Sequence, residues 1–163
     1  MDTDTEITNV FWKHLRSDRT VMLGLEASAP TTLRPMTAQL EGEADQGPIW
    51  FFTSTEAAIV QGLNAEDLAI FTFVSKGHDV FATVHGHMTR TTDRAAIDRL
   101  WTPWVAAWYE GGKEDPKLAL LRFDPASAEI WNNGSSLLAG LKLLFGGEPR
   151  ANFKDNVAKV SLS

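Results

Sequence analysis

Two short runs hold the side chains best suited to chemistry in this chain, Arg34-Pro35-Met36-Thr37 and Trp50-Phe51-Phe52-Thr53-Ser54. The guanidinium of Arg34 and the hydroxyls of Thr37, Thr53 and Ser54 are the groups that bind a phosphate, and a helix start after Ser54 adds backbone N–H donors. Met36 and the neighbouring aromatic residues are a bed for a flat ring. The competing reading makes the same Met and aromatic residues core and turns Arg34 to solvent. His85 and His87 share one face of a strand, the geometry of a two-point metal chelate, but no third ligand accompanies them and the chain has no cysteine. They read more simply as ordinary polar positions on the outer face of a hairpin, and no metal site is assigned. Glu41, Glu43, Asp45 and Glu56 read as solvated turn charges and a helix cap, since nothing apolar surrounds them to shift a pKa. No phosphate loop of the Gly-x-x-x-x-Gly-Lys type, no Gly-x-Ser-x-Gly elbow and no His-Glu-x-x-His pair occurs.

The pattern of apolar residues supplies the elements that must position these groups. Ile7, Val10, Phe11 and Leu15 make one stripe on a first helix over residues 5–16. Alternation predicts strands over 20–25 and 32–40, the second at a sheet edge because Pro35 donates no ladder hydrogen bond. An acidic connection over 41–48 leads to a buried strand over 49–53, and the spacing of Thr53 and Glu56 predicts a capping box opening a helix that carries Ile59, Val60 and Leu63. Strands over 68–74 and 80–90 form a hairpin. After Asp93 the helical spacing of Ile97, Leu100, Trp101, Trp104, Val105 and Trp108 puts three indoles on one stripe, interrupted or kinked at Pro103. That stripe suits packing against the sheet or a second subunit, with ligand stacking as the other use. Strands over 118–123, 128–131 and 156–162 and a helix over 135–145 complete the chain. About eight strands in so short a chain must close or nearly close to protect their edges, so the expectation is a mainly β protein with attached helices, a small barrel.

The 163 residues carry 15 Lys and Arg against 21 Asp and Glu, a net charge of −6, with 44% hydrophobic and 22% charged residues. That composition suits one globular domain over residues 1–163 and disfavours a nucleic-acid or anionic-membrane surface, which needs concentrated positive charge. No apolar run reaches a membrane span and the acidic amino terminus is unlike a secretory signal, so the expected compartment is the cytoplasm. Six tryptophans stand against one tyrosine.

In their order and spacing, Phe11-Trp12-Lys13, Arg34-Pro35-Met36, Trp50-Phe51-Phe52-Thr53-Ser54, Gly86, Asp93-Arg94, Leu100-Trp101, Pro103, Trp108, Gly111, Asp115-Pro116 and Ala128-Glu129-Ile130-Trp131 are found in one family. The chain resembles the general stress protein 26 branch of the pyridoxamine 5′-phosphate oxidase-like FMN-binding split-barrel superfamily. The resemblance implies a split β-barrel and a homodimer with FMN at the subunit interface. Arg34 would then anchor the phosphate, Pro35, Met36 and Thr37 would run beside the ring, and Phe52, Thr53 and Ser54 would hold ring and ribityl phosphate. Trp101 and Trp104 would serve as ring-side or interface residues. It implies a flavin-dependent oxidoreductase; the alternatives are a non-catalytic flavin carrier or sensor, or a cofactor-free dimeric interaction module. Haem or a deazaflavin in the same barrel, with His78, His85 and His87 as the only imidazoles near its strands, is a further alternative.

Two departures stand out. Where relatives place a basic residue on the FMN phosphate, this chain has Ala57-Ala58-Ile59-Val60. Loss of one charge-assisted hydrogen bond weakens binding by about 10- to 150-fold unless Arg34 or Lys76 substitutes. The tail over 146–163 has no counterpart of the basic and aromatic substrate motif of true pyridoxamine phosphate oxidases, so vitamin B6 synthesis is not expected.

Overall fold

The chain winds one antiparallel sheet that curls until its two ends meet. A computed structural model describes residues 3–28, 30–133 and 157–163; the helix expected over 135–145 lies outside them. In chain order the elements are α1 (Thr3–Ser17), β1 (Thr20–Leu25), β2 (Arg34–Thr37), β3 (Ile49–Ser54), α2 (Ala58–Gln61), β4 (Asp67–Val74), β5 (Val80–Thr91), α3 (Arg94–Leu100), α4 (Pro103–Ala106), a 3-10 turn (Gly112–Glu114), β6 (Leu118–Asn132) and β7 (Val157–Ser161). The strands run in the order β2-β1-β4-β5-β6-β3, with β7 beside β6. Between the end strands the contact narrows to one bridge, where Gln39 N–H donates to Trp50 O at 2.8 Å and Trp50 N–H returns to Gln39 O at 2.9 Å. The result is a barrel split along the β2–β3 seam.

Alternation along the strands fills this barrel. Leu23, Phe51, Phe71, Val84, Leu121 and Phe123 form one buried cluster, with Phe71 and Phe123 rings 5.1 Å apart at a steep angle. Ile7, Phe11, Trp12 and Leu15 of α1 join it, and the Phe11 ring meets Phe73 edge-on at 6.1 Å. The helical stripe is thus a plug against β5, β6 and β7. Strand β3 is covered on both faces, which explains its unbroken apolar run. Ile49 and Phe51 face the barrel, while Trp50 lies in a second cluster with Ala96, Ile97, Leu100 and Leu120. The Arg122 guanidinium sits 5.6 Å from the Trp50 ring centroid.

Several expectations are corrected. Residues 118–123 and 128–131 belong to one strand, β6, because the chain stays extended through a bulge opposite His85 and Gly86. One edge of β6 pairs with β5; the other is shared between β3 before Pro125 and β7 after it, and Pro125, which has no N–H to give, sits at the bulge between the two. Seven strands result among the described residues, one fewer than expected. No capping box forms at Thr53 and Glu56. Strand β3 continues to Ser54, whose Oγ accepts from Glu56 N at 3.1 Å, and α2 is one turn that begins at Ala58 and ends before Leu63. The indole stripe also breaks. Extended backbone at Trp101 ends α3, and Thr102 caps a separate α4 through its Oγ1 and the Val105 N–H at 3.2 Å, with Pro103 at the first turn.

Gly86 shows how tightly β5 and β6 approach at the bulge. A Cβ there would lie 2.4 Å from Asp124 O and 2.7 Å from Phe123 Cζ. Backbone cannot yield as a flexible side chain can, so Gly86→Ala is expected to lower unfolding free energy by about 2–3 kcal/mol, read as a lowered urea midpoint with unchanged slope.

Candidate functional site

The seam between β2 and β3 opens into two adjoining hollows. The larger, of about 610 Å³, is walled by Pro35, Met36 and Thr37 of β2, by Phe52, Thr53 and Ser54 at the end of β3, and by the α4 segment with Trp104, Val105, Trp108 and Tyr109. Arg19, Gln39 and Thr102 complete it. The smaller, of about 360 Å³, runs under Arg34 and is floored by Leu23, Gly24 and Leu25 and by Ala57, Ala58 and Ile59. Met36 and Thr53 line both and form the divide. Their sizes and mixed linings are those of small-molecule sites. A third hollow, on the outer face of β4 and β5 around Val74, Phe81 and Trp131, is lined by no ionisable side chain, its polar groups being Thr72, Thr83 and Asn133.

The local sequence builds this arrangement. Pro35 makes β2 an edge strand, so its outward side faces the opening; Arg34, Pro35 and Thr37 are exposed, while Met36 is half-buried against the core. Strand β3 ends where Ser54 turns back onto the backbone, leaving Thr53 and Ser54 at the rim. Of the residues expected to form the site, Pro35, Met36, Thr37, Phe52, Thr53, Ser54 and Trp104 line the larger hollow and Arg34 the smaller. Trp101 lines neither. It is packed behind the wall, edge-on to Phe52 at 6.1 Å and tilted against Tyr109 at 6.0 Å. Its separation from Trp104 follows from the break between α3 and α4.

Trp108, whose indole stripe left ligand stacking open, also lines the larger hollow, whereas Tyr109, Gln39 and Arg19 carried no site signal in the sequence. Tyr109 is the chain's one tyrosine and lies just past the second helical turn. Arg19 lies just before β1, where the register Thr20–Thr37 and the bond from Ala38 N to Arg19 O at 2.7 Å set it beside the far end of β2. Tyr109 is buried and its hydroxyl donates to Thr53 O at 2.6 Å, tying α4 to β3. Burial, with a smaller effect of the Asp115 charge, pushes its pKa up to about 12. The Asp115 carboxyl is held below its ordinary value by the Gly111 and Lys117 N–H groups, at 3.0 and 2.9 Å, and so keeps its charge.

The histidines are placed elsewhere. His85 and His87 are exposed on the outer face of β5, where His85 Nδ1 contacts Glu26 Oε1 and His87 Nδ1 lies 3.2 Å from Glu66 Oε1. Among the described residues no group of three or more His, Asp or Glu converges as metal ligands. Glu41 pairs with Arg99 at 2.8 Å and Asp45 with Arg16 at 2.6 Å, as solvated turn charges. No helix among the described residues is long and apolar enough to cross a membrane.

A split antiparallel barrel with this order of motifs defines a family. Residues 6–146 match the family described as pyridoxamine 5′-phosphate oxidase like, and the chain belongs to it. At 57% identity the chain is similar to a protein assigned to the general stress family from Xanthomonas campestris pv. campestris, with a TM-score of 0.77 over 86% of this chain and 96% of that one. At the same identity and TM-score it is similar to the general stress FMN/FAD binding protein of Xanthomonas citri, over 83% and 95% of the two chains. A protein assigned as general stress protein 26 from Jannaschia sp. CCS1 is 31% identical, with a TM-score of 0.78 over 98% and 99%. No curated protein matches the chain.

Because Tyr109 stands alone, tyrosinate absorbance reports it without interference. The expected titration midpoint of the folded protein is about 12, against about 10 for an unperturbed phenol. The raised value means that Tyr109 stabilises the fold fully below pH 10, and that this contribution is lost as pH rises toward 12. Tyr109→Phe should abolish the signal and, by removing the bond to Thr53 O, lower stability by about 1 kcal/mol.

Proposed function

We propose that this protein binds FMN along the β2–β3 seam, with the phosphate at Arg34 and the ring over Met36 and Thr37 in the larger hollow. The observation that carries this reading is the state of Arg34. It is exposed at the smaller hollow, is the one charged side chain among the described residues lining it, and has no carboxylate partner among them. An unpaired cation in a hollow that adjoins an aromatic-walled one, with Met36 and Thr53 shared between them, suits a ring joined to a phosphate. The Xanthomonas citri relative, described as FMN/FAD binding, supports a flavin, and the small phosphate hollow favours the mononucleotide.

The residues at hand fit the cofactor with one cation fewer than expected. Ile59 lines the smaller hollow and packs on the core, so it offers the phosphate no charge. Arg34 is then the anchor, and apolar contact with the ring supplies the rest. The protein works as a cytoplasmic homodimer in this reading. Trp104 and Trp108 are 84% and 85% exposed at the rim, and covering such indoles with a second copy would close the cleft over the ring.

When bound, FMN supplies hydride and one-electron chemistry, and an oxidoreductase role follows from that. The chain's own residues bind and orient. Tyr109 is the only acid or base besides Arg19 among the described residues of the larger hollow, and with its pKa at about 12 and its hydroxyl donating to Thr53 O it does not exchange protons at neutral pH. This lack of a working general acid or base favours, as the second reading, a flavin carrier or sensor.

Purified protein mixed with excess FMN and freed of the unbound fraction is expected to keep a two-band flavin spectrum near one FMN per subunit. Arg34→Ala should weaken binding at least about tenfold, and Ile59→Lys should tighten it by a similar factor. A colourless protein, or an unchanged Arg34→Ala, overturns the assignment. Turnover of NADH or NADPH above that of free FMN separates the oxidoreductase from the carrier.

A further inference from the structure

The pairing of charges across the surface sets one more residue apart. Among the described arginines Arg16, Arg94, Arg99 and Arg122 each face a carboxylate: Asp45, Glu114, Glu41 and Asp124. Arg90, Arg19 and Arg34 do not, although the chain carries six more acidic than basic residues, and of these three only Arg19 and Arg34 line the seam hollows. Each is the one charged side chain among the described residues lining its hollow, Arg19 in the larger and Arg34 in the smaller, and neither hollow is lined by a carboxylate. Arg19 has a neutral partner, its Nη1 donating to Gln39 Oε1 at 3.1 Å. That bond orients the guanidinium beside the seam without neutralising it. A surface rich in carboxylates that leaves both seam cations unneutralised is arranged for anions at both ends.

The two cations sit at opposite ends of β2. Arg34 is paired with Leu23, and Arg19 lies four residues before Leu23 on the same extended stretch, so their backbones are about 13 Å apart. We propose that Arg19, oriented by Gln39, is the anchor for an anionic group, carboxylate or phosphate, of a second molecule that enters the larger hollow beside the bound flavin. This rests on the flavin reading above in one respect only, that Arg34 is occupied by the cofactor phosphate. The second molecule is a small, flat anion: the larger hollow that Arg19 lines is also walled by Trp104, Val105 and Trp108, which offer apolar surface and no charge. Arg19 thereby selects substrates by charge and leaves the chemistry to the cofactor.

The probes are 2-naphthoate, 2-naphthyl phosphate and the uncharged 2-naphthamide, titrated calorimetrically into FMN-loaded and flavin-free protein, with the visible flavin spectrum followed in the loaded form. At least one anion is expected to bind about tenfold or more tightly than the amide, and which one does so separates a carboxylate from a phosphate substrate. Arg19→Gln should erase that preference while changing the FMN dissociation constant less than twofold; Arg19→Lys should keep part of it, which distinguishes charge from damage to the fold. Arg34→Ala should do the converse, weakening FMN and sparing the preference. Equal binding of anions and amide, no binding of any probe, or a loss of FMN in Arg19→Gln matching that in Arg34→Ala overturns the proposal. Failure of the wild-type protein to retain FMN sinks the flavin reading alone, because the flavin-free titration still reports whether Arg19 selects anions.

Discussion

Strand β3 is buried from both sides, and most of the architecture depends on that. Its inward residues Ile49 and Phe51 complete the barrel core, and its outward Trp50 seats α3 through Ile97 and Leu100. One edge pairs with β6 over six rungs, while the other touches the β2 segment only at the Gln39–Trp50 bridge. A strand with both faces covered and one edge fully paired is held rigidly, so its last residues, Thr53 and Ser54, reach the seam at a fixed place. The unpaired edge is equally consequential. Had β2 and β3 zipped along their length, the barrel would have closed and no hollow would lie between them.

Tyr109 links this frame to the far wall of the cleft. Segment α4 is a single turn that cannot hold its own conformation in isolation, and the hydroxyl bond to Thr53 O fastens it to the end of β3. Phe52, Trp101 and Tyr109 pack against one another behind that bond. Trp104 and Trp108 are left outside this knot, which is why two indoles of similar sequence context to Trp101 are exposed while Trp101 is packed.

Much of the frame was legible because it obeys two periodicities. The stripe Ile7, Phe11, Leu15 and the alternation in β1, β4 and β5 respond to one buried face each, and their ends fall within a residue or two of those expected. The failures occurred where a residue's local preference competed with tertiary contacts. Thr53 and Glu56 have capping-box spacing, but the β6 partner holds Thr53 in the ladder. Residues 124–127 look like a break, yet β5 on one side keeps them extended through a bulge. Pro103 was visible as an interruption, but whether it kinks a helix or starts a new one depends on the Thr102 cap. That the segments around Arg34 and Thr53 meet at one seam was legible from their polar groups at strand ends, and the two hollows lie there. Arg19 was not, since its place beside Gln39 follows from register alone.

The electrostatics of the seam turn on what is missing from it. An exposed arginine lacking a counter-ion loses little, since a surface ion pair contributes at most about 1 kcal/mol, so leaving Arg19 and Arg34 unpaired hardly burdens the fold. The gain arises only when an anion arrives in a cleft that excludes water from one side, where the same charge attracts more strongly. Replacing a basic residue by Ile59 follows the same logic in reverse. In the proposed flavin site it would remove attraction for a phosphate, and it adds apolar packing on the core, so that less of the grip would come from charge and more from ring contact. Ring contact is insensitive to salt whereas charge is screened by it, so Ile59 would also set how far ionic strength loosens a bound flavin.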